Sequence, residues 1–203
     1  MAETVKGRGR LAIEFELKFR CPEQAVEQLR QAVPGQERLY AMQTTYYDTP
    51  EGALSDRYYT LRLRQENDLR ICTLKCPAED GGRGEFELEC DSIQQAIPEL
   101  CKLSGIPDLL QLTTGGVAPV CGAQFQRIAK IFTWQDTTME LALDRGILTG
   151  GGREVALCEA ELELKQGSRE AVRAYAALLT AAYGLVPEKD SKFRRALALA
   201  KGE

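Results

Sequence analysis

The amino-acid sequence predicts an α+β fold, with about eight strands in an antiparallel sheet and four helices. Three observations carry that expectation. Several segments alternate apolar and charged residues with a period of two, the mark of a strand with two unlike faces. Short turn signals separate them, among them Asn67-Asp68 and TGGGR at Thr149–Arg153. Four other stretches have helical spacing and are bounded by Ser, Pro or Gly. Sheet and helix occur in both halves of the 203-residue chain without a Ser- or Pro-rich linker, so a single domain over 1–203 is expected.

Leu11–Arg20 is the first strand, with Ile13, Phe15, Leu17 and Phe19 on one face and Glu14, Glu16, Lys18 and Arg20 on the other. A helix follows over Pro22–Val33, with proline tolerated in its first turn and Pro34-Gly35 ending it. QTTYYDTP is a short β run stopped by Pro50. Tyr59–Gln65 and Leu69–Lys75 form a hairpin across Asn67-Asp68. Asp80-Gly81-Gly82 is a turn into the alternating strand RGEFELEC. Ser92–Leu103 is helical, capped by Asp91 or Ser92, although Pro98 inside it weakens the pattern. A loose Gly/Pro stretch runs from Ser104 to Gly122. Strands resume at Gln124–Trp134, Met139–Asp144 and Val155–Lys165. Ser168 caps a helix that Gly184 ends, and a last helix spans Lys192–Lys201.

Composition narrows the chemistry. There is no histidine, which excludes a Ser-His-Asp triad, a Cys-His dyad and histidine-containing zinc sites. The net charge of -4 gives no global basic field for nucleic acid. Seven cysteines without a C-x-x-C pair read as buried free thiols in a reducing compartment. No run approaches the ~20 apolar residues needed to span a bilayer. The polar, basic start lacks the apolar segment of a signal peptide, so a cytoplasmic protein without a membrane partner is expected.

The charged strand faces are segregated by sign. Glu159, Glu161 and Glu163 stand ~7 Å apart along one face. Glu14 with Glu16, and Glu85 with Glu87 and Glu89, repeat the habit. Basic residues gather elsewhere, at Arg62, Arg64, Lys75, Arg127 and Lys192. A merely soluble surface mixes its signs. Carboxylates suit hard divalent cations, and Arg/Lys faces suit phosphate oxygens. If about eight strands close into a barrel, these faces turn inward and the apolar faces pack on outer helices. Such an interior is costly unless metal, a polyanion or water fills it. KGRGR and TGGGR lack the phosphate-loop spacing and read as a disordered start and a hairpin turn. Tyr46, Tyr47 and Trp134 could stack on a base but read as strand residues packing on neighbours.

Glu14-Phe15-Glu16-Leu17-Lys18 matches the E-x-E-x-K signature of the CYTH superfamily, the triphosphate tunnel metalloenzymes. YYDTP (46–50), LRLR (61–64), TLKCP (73–77), R-x-E-x-E (83–87), Arg127, ALDRG (142–146), EAELELKQG (159–167) and SKFRRA (191–196) follow in order. The chain thus resembles that superfamily over nearly its whole length. The resemblance implies an eight-stranded antiparallel β-barrel tunnel with a charged interior, surrounded by helices. It implies a stand-alone catalytic domain without a CHAD-type helical extension.

Carried over by position, Glu14, Glu16, Asp144, Glu159 and Glu161 are the implied metal ligands. Glu85, Glu87 and Glu163 are supporting carboxylates. Lys18, Arg62, Arg64, Lys75, Arg127, Lys192 and Arg195 are the implied phosphate cradle, with Arg194 an alternative to Arg195. Lys18 and Tyr46 are the implied catalytic pair, and phosphate binding is the other role open to Lys18. The implied cofactor is Mg²⁺ or Mn²⁺, two ions with a small-molecule triphosphate substrate. Hydrolysis of the terminal phosphate of inorganic triphosphate is the expected activity. Thiamine triphosphatase or another organic-triphosphate hydrolase, class IV adenylyl cyclase and a non-catalytic polyphosphate or nucleotide binder are the alternatives. The full acidic set argues against a simple anion binder.

Overall fold

Backbone hydrogen bonds join ten strands into one antiparallel sheet in the computed structural model, which describes residues 7–10 (backbone only), 15–77, 83–106 and 108–203. In chain order the first elements are β1 (Gly7–Arg10), β2 (Glu16–Arg20), α1 (Glu23–Ala32), β3 (Glu37–Asp48), α2 (Ala53–Asp56), β4 (Thr60–Glu66), β5 (Leu69–Pro77) and β6 (Arg83–Glu89). Then come α3 (Ile93–Ser104), α4 (Leu109–Leu112), β7 (Ala118–Trp134), β8 (Thr137–Gly150), β9 (Arg153–Gln166), α5 (Arg169–Tyr183), β10 (Val186–Pro187) and α6 (Lys192–Lys201). The spatial order is β1-β6-β5-β4-β3-β7-β8-β9-β2-β10.

Ten paired strands do not confirm the expected eight-stranded closed barrel. Among the described residues the ladder is open, with β1 and β10 at its edges. Gly7–Arg10 pairs with β6 and Glu16–Arg20 pairs with β9, so one N-terminal stretch touches both sides of the sheet. KGRGR, expected to be disordered, contributes β1. Its backbone satisfies the free hydrogen-bonding groups that β6 otherwise presents at an edge. Residues 11–14, including Glu14, and the expected turn at 80–82 lie outside the described residues.

Other boundaries moved for reasons of pairing. β3 and β7 are long because they pair with each other from Glu37↔Lys130 to Asp48↔Ala118. The loose stretch from 104 to 122 therefore contains the start of β7, together with the short α4. Asn67 adopts φ 53° in the β4–β5 hairpin, a conformation asparagine tolerates. Pro98 is accommodated inside α3, because Ile93, Ala96, Ile97 and Leu100 are buried there and outweigh one missing hydrogen bond. Ser92, Ser168 and Ser191 each accept a backbone N–H at a helix start.

Period-two alternation divides the sheet between two environments. On one face Leu61, Cys72, Leu74, Phe86 and Leu88 share a core with α3, while Phe19, Leu141, Leu143, Ala160 and Leu162 share another with α1 and α5. The opposite face is charged over much of its length. Its apolar end holds Met42, Tyr46, Phe125, Leu148 and Leu157, and Phe193 and Ala196 of α6 pack there. Gly150 permits that approach: a Cβ at this position would meet the Ala196 carbonyl oxygen at 2.3 Å and the Ala200 nitrogen at 2.8 Å. Thus α6 plugs the charged face, and its first turn arrives among the carboxylates.

Candidate functional site

Strand register brings the predicted charges together. Lys18 lies opposite Glu161, and Glu16 opposite Glu163. Arg127, Asp144 and Glu159 stand in one row across β7, β8 and β9. On the other arm Arg62 faces Thr73, which faces Glu87, while Lys75 faces Glu85. The sheet curls so that both arms line one cavity of about 460 Å³. Its wall contains Glu16, Lys18, Tyr46, Arg62, Arg64, Lys75, Glu85, Glu87, Arg127, Glu161, Glu163 and Lys192.

Asp144 and Glu159 lie behind that wall, each with a fully buried side chain. One carboxylate oxygen from each of Asp144, Glu159 and Glu161 falls within 4.8 Å of the others. Three cations meet this cluster. Arg127 donates through Nε and Nη2 to the two Asp144 oxygens, both at 2.7 Å, and through Nη2 to Glu161 at 2.6 Å. Lys192 Nζ lies 2.8 Å from Asp144, 2.5 Å from Glu159 and 2.7 Å from Glu161. Arg195 pairs with Glu159 and, at 3.6 Å, with Glu188. Arg194 is exposed and pairs with Asp190, so Arg195 is the one directed to the cluster.

The electrostatics follow from burial and pairing. Burial opposes the charge on Lys192, but Glu161, Asp144 and Glu159 outweigh it and hold the ammonium well above the usual lysine range. Burial also works against ionised Glu161, yet Lys192 and Arg127 hold its carboxyl well below the usual range. Burial raises Glu159, with Lys192 offsetting only part of the effect. Burial likewise raises Glu163, against the pull of Lys165.

The opposite arm is differently balanced. Arg62 contacts Glu85 at 3.3 Å and Glu87 at 3.5 Å, and Lys75 contacts Glu85 at 2.9 Å. Arg64 reaches Glu66 at 3.2 Å. Burial, then the like charges of Arg62 and Arg127, lower the Arg64 guanidinium below its usual range. An anion entering here would relieve that repulsion. Lys18 Nζ stands 3.1 Å from Glu16. Tyr46 is buried with its ring 5.0 Å from that of Phe193.

Sequence reasoning missed several wall residues: Thr60, Glu66, Arg83, Ser191 and Phe193. Glu66 and Thr60 had a usable signal, since they share the face of Arg62 and Arg64 at two-residue spacing. Arg83 likewise shares the face of Glu85. Ser191 and Phe193 lie inside the SKFRRA motif, but nothing in its spacing shows that α6 reaches the cavity, which follows from tertiary packing.

The three clustered carboxylates fit a metal ion by donor chemistry: hard oxygen ligands, mutually close, in a buried place. No helix among the described residues is long and apolar enough to cross a membrane. A curled antiparallel sheet, with acidic and basic side chains together around one cavity and a helix plugging its charged face, defines the class of protein.

The chain belongs to the CYTH domain family, whose model matches residues 12–197. Over 126 residues it is 30% identical to the inorganic triphosphatase of Haemophilus influenzae, a match covering 61% of this chain and 36% of that relative's length. Its fold is similar to that of HpAC1 from Hippeastrum, whose structure is described as revealing a dominant triphosphatase activity. That similarity has a TM-score of 0.59 at 19% identity, over 94% of this chain and 96% of the other. It is also similar to PH1819 from Pyrococcus horikoshii, with a TM-score of 0.58 at 22% identity over 93% and 99% of the two chains.

Proposed function

We propose that the chain acts as one CYTH domain that hydrolyses the terminal phosphate of inorganic triphosphate with a divalent metal ion. One observation carries this reading. Arg62, Arg64 and Lys75 on one arm and Lys18, Arg127 and Lys192 on the other face a single cavity that Glu16, Glu85, Glu87, Glu161 and Glu163 also line. That arrangement suits a polyanion accompanied by cations. The triphosphatase relative supports the same reaction class. The aromatic groups lining the cavity, Tyr46 and Phe193, are packed on each other, which leaves neither as a free platform for adenine or thiazole.

In this mechanism water attacks the terminal phosphorus, the anhydride P–O bond breaks, and phosphate and diphosphate leave. Arg62, Arg64 and Lys75 orient the chain and offset charge as it shifts to the leaving oxygen. Arg127, with Nη2 already committed to Glu161, positions that carboxylate. Lys18, beside Glu16, holds the attacking water or a terminal oxygen, and Tyr46 borders the same space. Glu16, Asp144, Glu159 and Glu161 would hold Mg²⁺ or Mn²⁺, with Glu85, Glu87 and Glu163 in support. When bound, such ions neutralise the polyphosphate and acidify water.

The test is a substrate panel. Purified protein is mixed with Mg²⁺ or Mn²⁺ and, separately, tripolyphosphate, thiamine triphosphate or ATP. Phosphate, diphosphate and cyclic AMP are then measured. Fastest release of phosphate and diphosphate from tripolyphosphate is expected. Faster turnover of thiamine triphosphate, or cyclic AMP from ATP, would replace this substrate assignment, and binding without turnover would overturn the enzyme reading.

A further inference from the structure

Lys192 occupies an unusual place. Its ammonium lies 2.5–2.8 Å from one oxygen of each of Asp144, Glu159 and Glu161. It is also the first residue of α6, whose opening turn holds Lys192, Arg194 and Arg195 and no acidic residue. Cations at a helix N-terminus oppose the helix dipole. The placement therefore comes from the carboxylates, not from the helix. The side chain is only 8% exposed, yet Lys192 is part of the cavity wall.

We propose that Lys192 is the resting cation of this cluster, and that a divalent ion enters only by exchanging with its ammonium. The inference rests on the reading that a divalent ion works in this cavity. Oxygen-coordinated ions sit roughly 2.0–2.6 Å from their ligands. An ion between these three carboxylates would stand where Nζ stands, so both cannot be present.

Charge points the same way. Three carboxylates are matched by Lys192, Arg127 and Arg195. An added divalent ion would leave two uncompensated positive charges in a buried space, which is costly. Exchange leaves one at the cluster and moves the ammonium to the cavity side, where a phosphate chain balances both. Triphosphate and metal therefore promote each other's binding, by the reciprocity of linked equilibria. Lys192 is in this sense a positioning residue that keeps the cluster intact until substrate and metal arrive.

Two measurements without turnover test this. In a Mn²⁺ titration followed by the electron paramagnetic resonance of the free ion, Lys192→Gln should bind Mn²⁺ about tenfold or more tightly than the unaltered protein. Equal affinities overturn the proposal. The second uses the unaltered chain, so it stands even where the variant fails to fold. Acetic anhydride labelling, read by peptide mass spectrometry, should find Lys192 protected without metal and about fivefold or more faster to label with saturating Mn²⁺ alone. A rate unchanged by Mn²⁺ overturns it. Normal tripolyphosphate hydrolysis with no change at Lys192 would sink the exchange and leave the proposed function standing. Exchange without hydrolysis would do the reverse.

Discussion

Arg127 grips Asp144 with two parallel bonds of 2.7 Å across the β7–β8 pair, and the same guanidinium reaches Glu161 on β9 at 2.6 Å. Three central strands are thereby tied from within the cavity. Asp144 is fully buried, so it has no water to replace a lost partner. Arg127→Ala should cost about 1.5–3 kcal/mol, since Asp144 keeps Lys192 at 2.8 Å but loses two charged hydrogen bonds. Arg127→Lys should recover only part, because an ammonium cannot reproduce the two-pronged geometry. Urea unfolding of the two variants checks both expectations.

Arg62 offers a contrast. It is buried on the opposite arm, and its partner Glu85 keeps Lys75 at 2.9 Å. Under the proposed hydrolysis, Arg62→Ala should raise KM for tripolyphosphate by about tenfold or more and lower kcat less, through loss of a charged phosphate contact. Steady-state kinetics at saturating Mg²⁺ test this. Unchanged KM and kcat would remove Arg62 from the cradle.

Glu161 sits between Lys192 and Arg127. Glu161→Gln should cut turnover by about 10²-fold or more, with partial recovery at high metal concentration. Normal activity at low metal would show that Glu161 is not a ligand.

Gly150 controls the plug from a distance. Gly150→Ala places a methyl group against the backbone of α6 at Ala196 and Ala200. The helix must shift, at about 1–3 kcal/mol, as overpacked contacts usually cost. Lys192 and Arg195 move with it, so turnover should fall even though Gly150 touches no substrate. Gly115→Ala, where a Cβ meets nothing within 4 Å, should leave both properties unchanged. Thermal melts and kinetics of the pair check the difference.

Alkaline stability should depend on the buried thiols. Burial pushes Cys21, Cys72 and Cys121 from 9.0 up to about 12. Below pH 9 these thiols are neutral in both folded and unfolded chains, and their contribution is fully present. Between pH 9 and about 12 the unfolded chain loses protons that the folded chain keeps, so stability falls as pH rises. Urea midpoints should drop across this window. The triple variant Cys21→Ala, Cys72→Ala, Cys121→Ala should show a shallower decline, and an equal slope would assign the loss to other groups.

Much of the site was legible because strand alternation is local. Glu16 and Lys18, Arg62 and Arg64, and Glu159, Glu161 and Glu163 each share a face through two-residue spacing alone. The zero histidine count likewise confined the chemistry to carboxylates, Lys, Arg, Tyr and Cys. Long β3 and β7 were harder to see. Their extra residues follow no strong alternation and are strands because each supplies the other's hydrogen bonds. β1 was hidden for the same reason, since glycine-rich KGRGR has no intrinsic strand preference and gains order from the edge of β6.

By itself, then, the sequence determined the composition of each strand face, the helix caps and the order of motifs that mark a CYTH chain. These depend on neighbours within a few residues. Tertiary structure alone decided which charge meets which. Asp144 and Glu159 are 15 residues apart in sequence yet directly paired, and Lys192 joins them only because α6 packs against Gly150 and the apolar end of the sheet. A basic residue that the resemblance assigns to a phosphate cradle thus lines the cavity while pairing with three carboxylates. Coulomb forces in a buried space depend on distance and desolvation, which no linear spacing encodes.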